Sequence, residues 1–192
     1  LFNYIRGNTG GIIQNLTLSG RSVNGSFRGI TGLSFTGGVV GFIGHNKYRF
    51  YDITVTDMEL CTADGSDYIG HENLYLSKGY KAAGGVIGAD GAEHINGLKL
   101  RTNPDGESTM DYESTTEHFK LAGKEANLAK VKVTGNSTIS GIIAGGLIGI
   151  SDTTAMWIHQ CTVEETDIRS TSSESSYSAV GGAIGYIRFG ND

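Results

Sequence analysis

A double glycine running into an apolar pair and a third glycine returns four times along the chain. The copies read GGVVG from Gly37, GGVIG from Gly84, GGLIG from Gly145 and GGAIG from Gly181, and the opening LFNYI matches the second half of the same unit. Such a run is too glycine-rich for a helix, where each glycine costs about 1 kcal/mol relative to alanine. It is also too apolar for a linker. Recurrence at intervals of a few tens of residues marks a stacked repeat. The glycines concerned are Gly37, Gly38, Gly41, Gly84, Gly85, Gly88, Gly145, Gly146, Gly149, Gly181, Gly182 and Gly185. Their expected role is structural. They would sit where a coil turns at backbone angles with φ > 0, and where stacked elements approach closely. Val39, Val40, Val86, Ile87, Leu147 and Ile148 between them would fill a narrow interior.

A second unit follows the first, with apolar residues at i, i+3 and i+5. Its copies are Ile13/Leu16/Leu18, Phe50/Ile53/Val55, Ile95/Leu98/Leu100, Leu128/Val131/Val133 and Ile158/Cys161/Val163. The last two positions are two apart and so share one face of a strand. Just before the second apolar position stands Asn15, Asp52, Gly97, Lys130 or Gln160. Asn, Asp and Gly there imply a tight bend entering the strand. The copy at Leu128 lacks a double glycine upstream, and FKLAG from Phe119 reads as its worn counterpart. A short helix over 117–130 is the competing reading of that stretch, since its composition favours helix. Unit starts at Leu1, Val39, Val86, Phe119, Leu147 and Ala183 suit coils of three short strands, each too small to bury its own apolar face. The expected fold is therefore all-β, a parallel β-helix of about five coils forming one domain over 1–192.

These units resemble the GLUG-motif repeats of large bacterial surface proteins. The resemblance rests on the four GG-apolar-G runs, on IIQNLTLSG at Ile12–Gly20 and on VKVTG at Val131–Gly135. It covers most of the chain. It implies a right-handed parallel β-helix in a secreted or cell-surface-attached, adhesin-like protein, and such repeats also flank the catalytic domain of IgA-specific metallopeptidases. The chain reads as a section of a longer repetitive protein that continues into further domains.

Two insertions depart from the repeat, at about 59–82 and about 102–117. Loops on a rigid scaffold are where binding usually resides. The first holds Tyr68, His71, Tyr75 and Tyr80, and Trp157 flanks a strand unit. Their aromatic faces suit stacking on sugars, so these five are the candidate binding residues. HENLY at His71–Tyr75 begins like the zinc-peptidase HExxH but ends in Tyr, so the second metal ligand is missing. Asp105, Glu107, Asp111, Glu113 and Glu117 crowd the second insertion without the spacing of a calcium loop. No cofactor is expected, calcium at these acids being the one candidate. GGVIG lacks the endings of a phosphate-cradling loop, and a strand follows it instead of a helix. Cys61 and Cys161 read as free, buried thiols.

Charge narrows the partners. A formal net charge of −5 with both signs spread along the chain argues against nucleic acid. No apolar run is long enough to insert in a membrane. Outward positions of the strand units read Thr17, Thr54, Lys99, Lys132 and Thr162, then Ser19, Thr56, Arg101, Thr134 and Glu164. That is neither the acidic ladder of a polysaccharide-cleaving β-helix nor an unbroken threonine array for ice. The leading expectation is a non-catalytic extracellular module, a rigid stalk that binds a host protein or glycan. The alternatives are an accessory β-helix that positions substrate for a surface metallopeptidase, and a carbohydrate-active enzyme.

Overall fold

The i, i+3, i+5 spacing builds one wall of a parallel β-helix. In a computed structural model of the chain, the residues described are 1–5, 11–20, 29–32, 35–43, 48–62, 81–90, 120–121, 124–125, 127–151, 158–171 and 178–187. Coil one contains β1 (Phe2–Ile5), β2 (Gly11–Ser19), β3 (Gly29–Gly32) and β4 (Phe35–Gly37). Coil two contains β5 (Val40–Ile43), β6 (Tyr48–Thr56), β7 (Glu59–Thr62) and β8 (Ala82–Gly84). Coil three opens with β9 (Ile87–Asp90), passes through a small antiparallel hairpin, β10 (Lys120–Leu121) and β11 (Lys124–Glu125), and resumes with β12 (Leu128–Thr134), β13 (Ser137–Gly141) and β14 (Ile143–Gly145). Coil four contains β15 (Ile148–Ser151), β16 (Ile158–His159), β17 (Thr162–Val163), β18 (Thr166–Ser170) and β19 (Ala179–Gly181), and β20 (Ile184–Ile187) begins a fifth.

Apart from that hairpin, every sheet of the described residues stacks equivalent strands of successive coils in parallel. Face 1 runs β1-β5-β9-β15-β20 and face 2 runs β2-β6-β12, ending on β16 and β17. Face 3 runs β3-β7-β13-β18, and face 4 runs β4-β8-β14-β19. Each coil thus contributes to four faces where the repeat suggested three strands.

On face 2 the apolar triplets at Ile13, Phe50, Leu128 and Ile158 all point into one core. A regular strand cannot send i and i+3 to the same side. The residue between them resolves this. Asn15, Asp52, Lys130 and Gln160 have φ of 56°, 52°, 52° and 52°, so a left-handed residue in every coil resets the alternation. A second left-handed rank, at Asp57, Asn136 and Glu165, turns face 2 into face 3. At that corner the buried Ser137 hydroxyl donates to the Thr134 carbonyl (2.6 Å) and accepts from the Met58 amide (3.2 Å). Face 3 then sends Ile30, Leu60, Ile139 and Ile168 inward against the same core.

The double glycines lie between face 4 and face 1, and their role differs from the expected one. None of the twelve has φ > 0; among the described glycines only Gly135 does. What they provide is space. A Cβ on Gly85 would strike the Gly146 carbonyl oxygen and stand 2.7 Å from a Val133 methyl. On Gly146 it would strike the Gly182 carbonyl oxygen and lie 2.8 Å from Val163. The third glycine of each unit faces the coil before it. A Cβ on Gly41, Gly88, Gly149 or Gly185 would come within 2.7, 2.5, 2.5 and 2.7 Å of the carbonyl oxygens of Asn3, Gly41, Gly88 and Gly149. Each would also crowd the backbone of face 4, at Phe35, Thr36, Ala83 and Ala144. Faces 4 and 1 therefore fold back on one another at backbone contact.

Beside that glycine seam lies a second apolar cluster, apart from the main core. It holds Phe35 with Phe42, Ala82 with Ala89, Ile143 with Ile150, and Ala179. The Phe35 and Phe42 rings are 5.5 Å apart between centroids.

Coil three corrects three sequence expectations. Face 1 passes directly from β9 to β15, and Lys120–Leu121 pairs antiparallel with Lys124–Glu125, so FKLAG is not a worn glycine unit. The helix over 117–130 is replaced by strand at 120–121, 124–125 and from Leu128 onward. Face 2 passes directly from β6 to β12, so of two rival strand units the one at Leu128 occupies the stack. The copy at Ile95 lies outside the described residues. Its spacing also fits a strand, and spacing alone does not choose between neighbours. Four residues read as the start of the first insertion, Glu59–Thr62, are β7, paired with β3 and β13.

Candidate functional site

Tyr68, His71, Tyr75, Tyr80 and Trp157 all lie outside the described residues, and so do the acids of the second insertion. Their attachment points are nevertheless fixed by the stack. The segment with the three tyrosines leaves after Thr62 and returns at Lys81, at the corner between faces 3 and 4 in coil two. The segment with Trp157 lies in sequence between Ser151, the end of β15, and Ile158, the start of β16, which belong to faces 1 and 2 of coil four. The described ends of the two segments therefore lie at different corners. In coil three the connection from face 1 to face 2 runs from Asp90 to Leu128.

The described surface with the most regular chemistry is the outer side of face 2. Strand pairing sets Thr17, Thr54, Lys132 and Thr162 in one rank across the four coils. Beside it run Ser19, Thr56 and Thr134. Glu164 completes that rank, its amide donating to the Val133 carbonyl (3.0 Å). The sequence spacing also fits Lys99 and Arg101 to these ranks, but the direct β6–β12 pairing leaves them no place between Thr54 and Lys132. Without them, six of the eight side chains are hydroxyls. The other two, Lys132 and Glu164, form an ion pair with each other. Lys132 holds the Glu164 carboxyl below its usual value, mainly by hydrogen bonding and then by charge. Thr134 Oγ1 donates weakly to Glu164 and Glu165, at 3.4 Å each. Lys130 Nζ donates to the Tyr51 hydroxyl (3.1 Å) and lies 5.4 Å from its ring centroid.

The result is a rigid strip of neutral hydrogen-bonding groups. Its spacing is about 4.8 Å from coil to coil and about 6.6 Å between the two ranks along a strand. Hydroxyls donate and accept alike, so the strip suits a ligand that is itself rich in hydroxyls. The signal is present in the sequence as T-x-S, T-x-T, K-x-T and T-x-E starting two residues after each bend residue. It was obscured by the extra copy at Lys99.

Among the described residues, no three of His, Cys, Asp and Glu come together in a way that would hold a metal ion. Both cysteines are free and half-buried. Cys61 faces outward on face 3, its sulfur 3.1 Å from Thr31 Oγ1. Cys161 packs against the core from face 2, and burial pushes its thiol pKa up.

No family model matches the chain, and neither a curated protein nor a solved structure matches it.

Proposed function

We propose that the chain is a non-catalytic, extracellular β-helix module that acts as a rigid stalk and binds a glycan along the outer side of face 2. The hydroxyl strip of Thr17, Ser19, Thr54, Thr56, Thr134 and Thr162 supports this reading, because the only charges in its two ranks neutralise each other. A solenoid fixes such groups on paired backbone, so little ordering entropy is lost on binding. The aromatic segment with Tyr68, Tyr75 and Tyr80 leaves from a different corner and serves a host protein as a separate contact. A bacterial cell surface is the setting proposed for both, through the resemblance to GLUG repeats.

A panel of glycans and host matrix proteins, probed with the purified chain, tests the proposal. Thr54→Lys with Thr162→Lys puts two unpaired charges into the strip without touching the core, and abolishes glycan binding while the far-UV spectrum and melting are kept. Deleting 64–80 removes only the protein contact. Glycan binding that survives the lysine pair contradicts the assignment to face 2.

A further inference from the structure

Committed protons divide the two ranks of the face 2 strip. In the second rank, Thr56 Oγ1 donates to Asp57 (2.9 Å) and Thr134 Oγ1 donates to Glu164 and Glu165. These two hydroxyls have only lone pairs left to offer a ligand. In the first rank, the hydroxyls of Thr17, Thr54 and Thr162 have no partner among the described residues, so they can donate as well as accept.

The strip is long down the stack and narrow across it. Thr17, Thr54, Lys132 and Thr162 follow one another over four coils. Their steps of about 4.8 Å add up to roughly 14 Å, against a width of about 6.6 Å. Left-handed residues bound it on both sides, Asn15, Asp52, Lys130 and Gln160 at the bend and Asp57, Asn136 and Glu165 at the corner. Lys132 and Glu164 stand in different ranks and different coils, so each of the four coils keeps at least one hydroxyl. Their ion pair adds no net charge.

The geometry points, given the glycan reading above, to one class of ligand: a linear, neutral chain of pyranoses joined through equatorial positions 1 and 4, lying along the stack with one sugar on each coil. Such a chain is straight and advances by nearly one strand spacing per sugar. An axial linkage curves the chain away from the strip. Successive sugars are turned over, so both edges of the chain carry hydroxyls. Those on one edge donate to Thr56 and Thr134, and those on the other exchange hydrogen bonds with Thr17, Thr54 and Thr162. A chain with a carboxylate on every sugar finds no net counter-charge here.

Calorimetric titration of the purified chain tests this, with glucose oligomers of one to four sugars, β-1,4-linked in one series and α-1,4-linked in the other. In the β series affinity is expected to rise about two- to tenfold with each sugar, the worth of one net hydrogen bond. The α series stops gaining at two sugars. Thr17→Val, Thr54→Val and Thr162→Val lie in three different coils and keep the side-chain shape. Each lowers affinity for the β-tetramer by about the same two- to tenfold factor, with melting unchanged. A tetramer held no tighter than the dimer overturns the inference. So does sensitivity to only one of the three threonines, which is what a chain lying across the strands would show. Equal gains in the α series, or tighter binding of β-1,4-linked uronate oligomers in low salt, overturn it too. In all these cases, binding that Thr54→Lys with Thr162→Lys abolishes would still uphold the wider glycan reading. Binding of no glycan at all removes that reading and this inference together.

Discussion

Gly146 and Gly182 hold the same place in successive units, yet the structure gives them opposite sensitivities. A methyl on Gly146 would collide with the Gly182 carbonyl and a Val163 methyl, and at Gly182 nothing lies within 4 Å. Gly146→Ala is therefore expected to cost about 1–3 kcal/mol, the usual range for overpacking, while Gly182→Ala stays within about 0.5 kcal/mol. Urea unfolding of the two variants measures the difference. Equal losses would mean that backbone angle, not crowding, selects glycine here. The sequence made these glycines conspicuous but suggested a different reason for them, because a glycine needed for φ > 0 and one needed for space look alike in a string of letters. The left-handed residues were legible where they are Asn15 and Asp52, since short polar side chains tolerate that conformation. Lys130 and Gln160 occupy the same rank and were legible only through the spacing around them. The second such rank, at Asp57, Asn136 and Glu165, went unread because no apolar pattern brackets it.

At the scale of elements, the face 2 strands could be read and those of faces 3 and 4 could not. A strand such as β2 offers nine residues of pattern, whereas β4, β8, β14 and β19 offer three each. Three residues are too few to show a period. What the short strands do carry is a pairing across the glycine fold, Phe35 with Phe42, Ala82 with Ala89 and Ile143 with Ile150, always seven residues apart. Ile150 stands between Ala89 and Tyr186 in its rank and is 1% exposed. Ala89 is too small to close over a gap there, so Ile150→Ala is expected to cost about 2–5 kcal/mol. Chemical denaturation checks this. A loss comparable to that of an exposed substitution would show that the outer cluster adds nothing to the fold-back of face 4 on face 1.

For the whole molecule, the decisive choice is which strand follows β6. Two units in the sequence satisfy the same spacing, at Ile95 and at Leu128. The all-β class and the parallel stacking followed from the repeat itself, since no unit could bury its apolar residues alone. Which of two equal copies joins the stack is a tertiary decision. It is settled by whether the following segment can supply faces 3 and 4. After Leu128 it does, with Ile139 in β13 and the IAG of β14, and the Ala144 and Gly145 ranks lock onto Ala83 and Gly84. The hydroxyl strip depends on this choice, because it brings Thr54 next to Lys132. Cysteines at 54 and 132, in a chain with Cys61→Ser and Cys161→Val, test it with a short thiol crosslinker and peptide mass mapping. Neighbouring strands lie about 4.8 Å apart, so Thr54→Cys and Lys132→Cys are predicted to crosslink efficiently, while Thr54→Cys paired with Lys99→Cys does not. Crosslinking of 54 to 99 in preference to 132 would contradict the stack described here, and the binding strip with it.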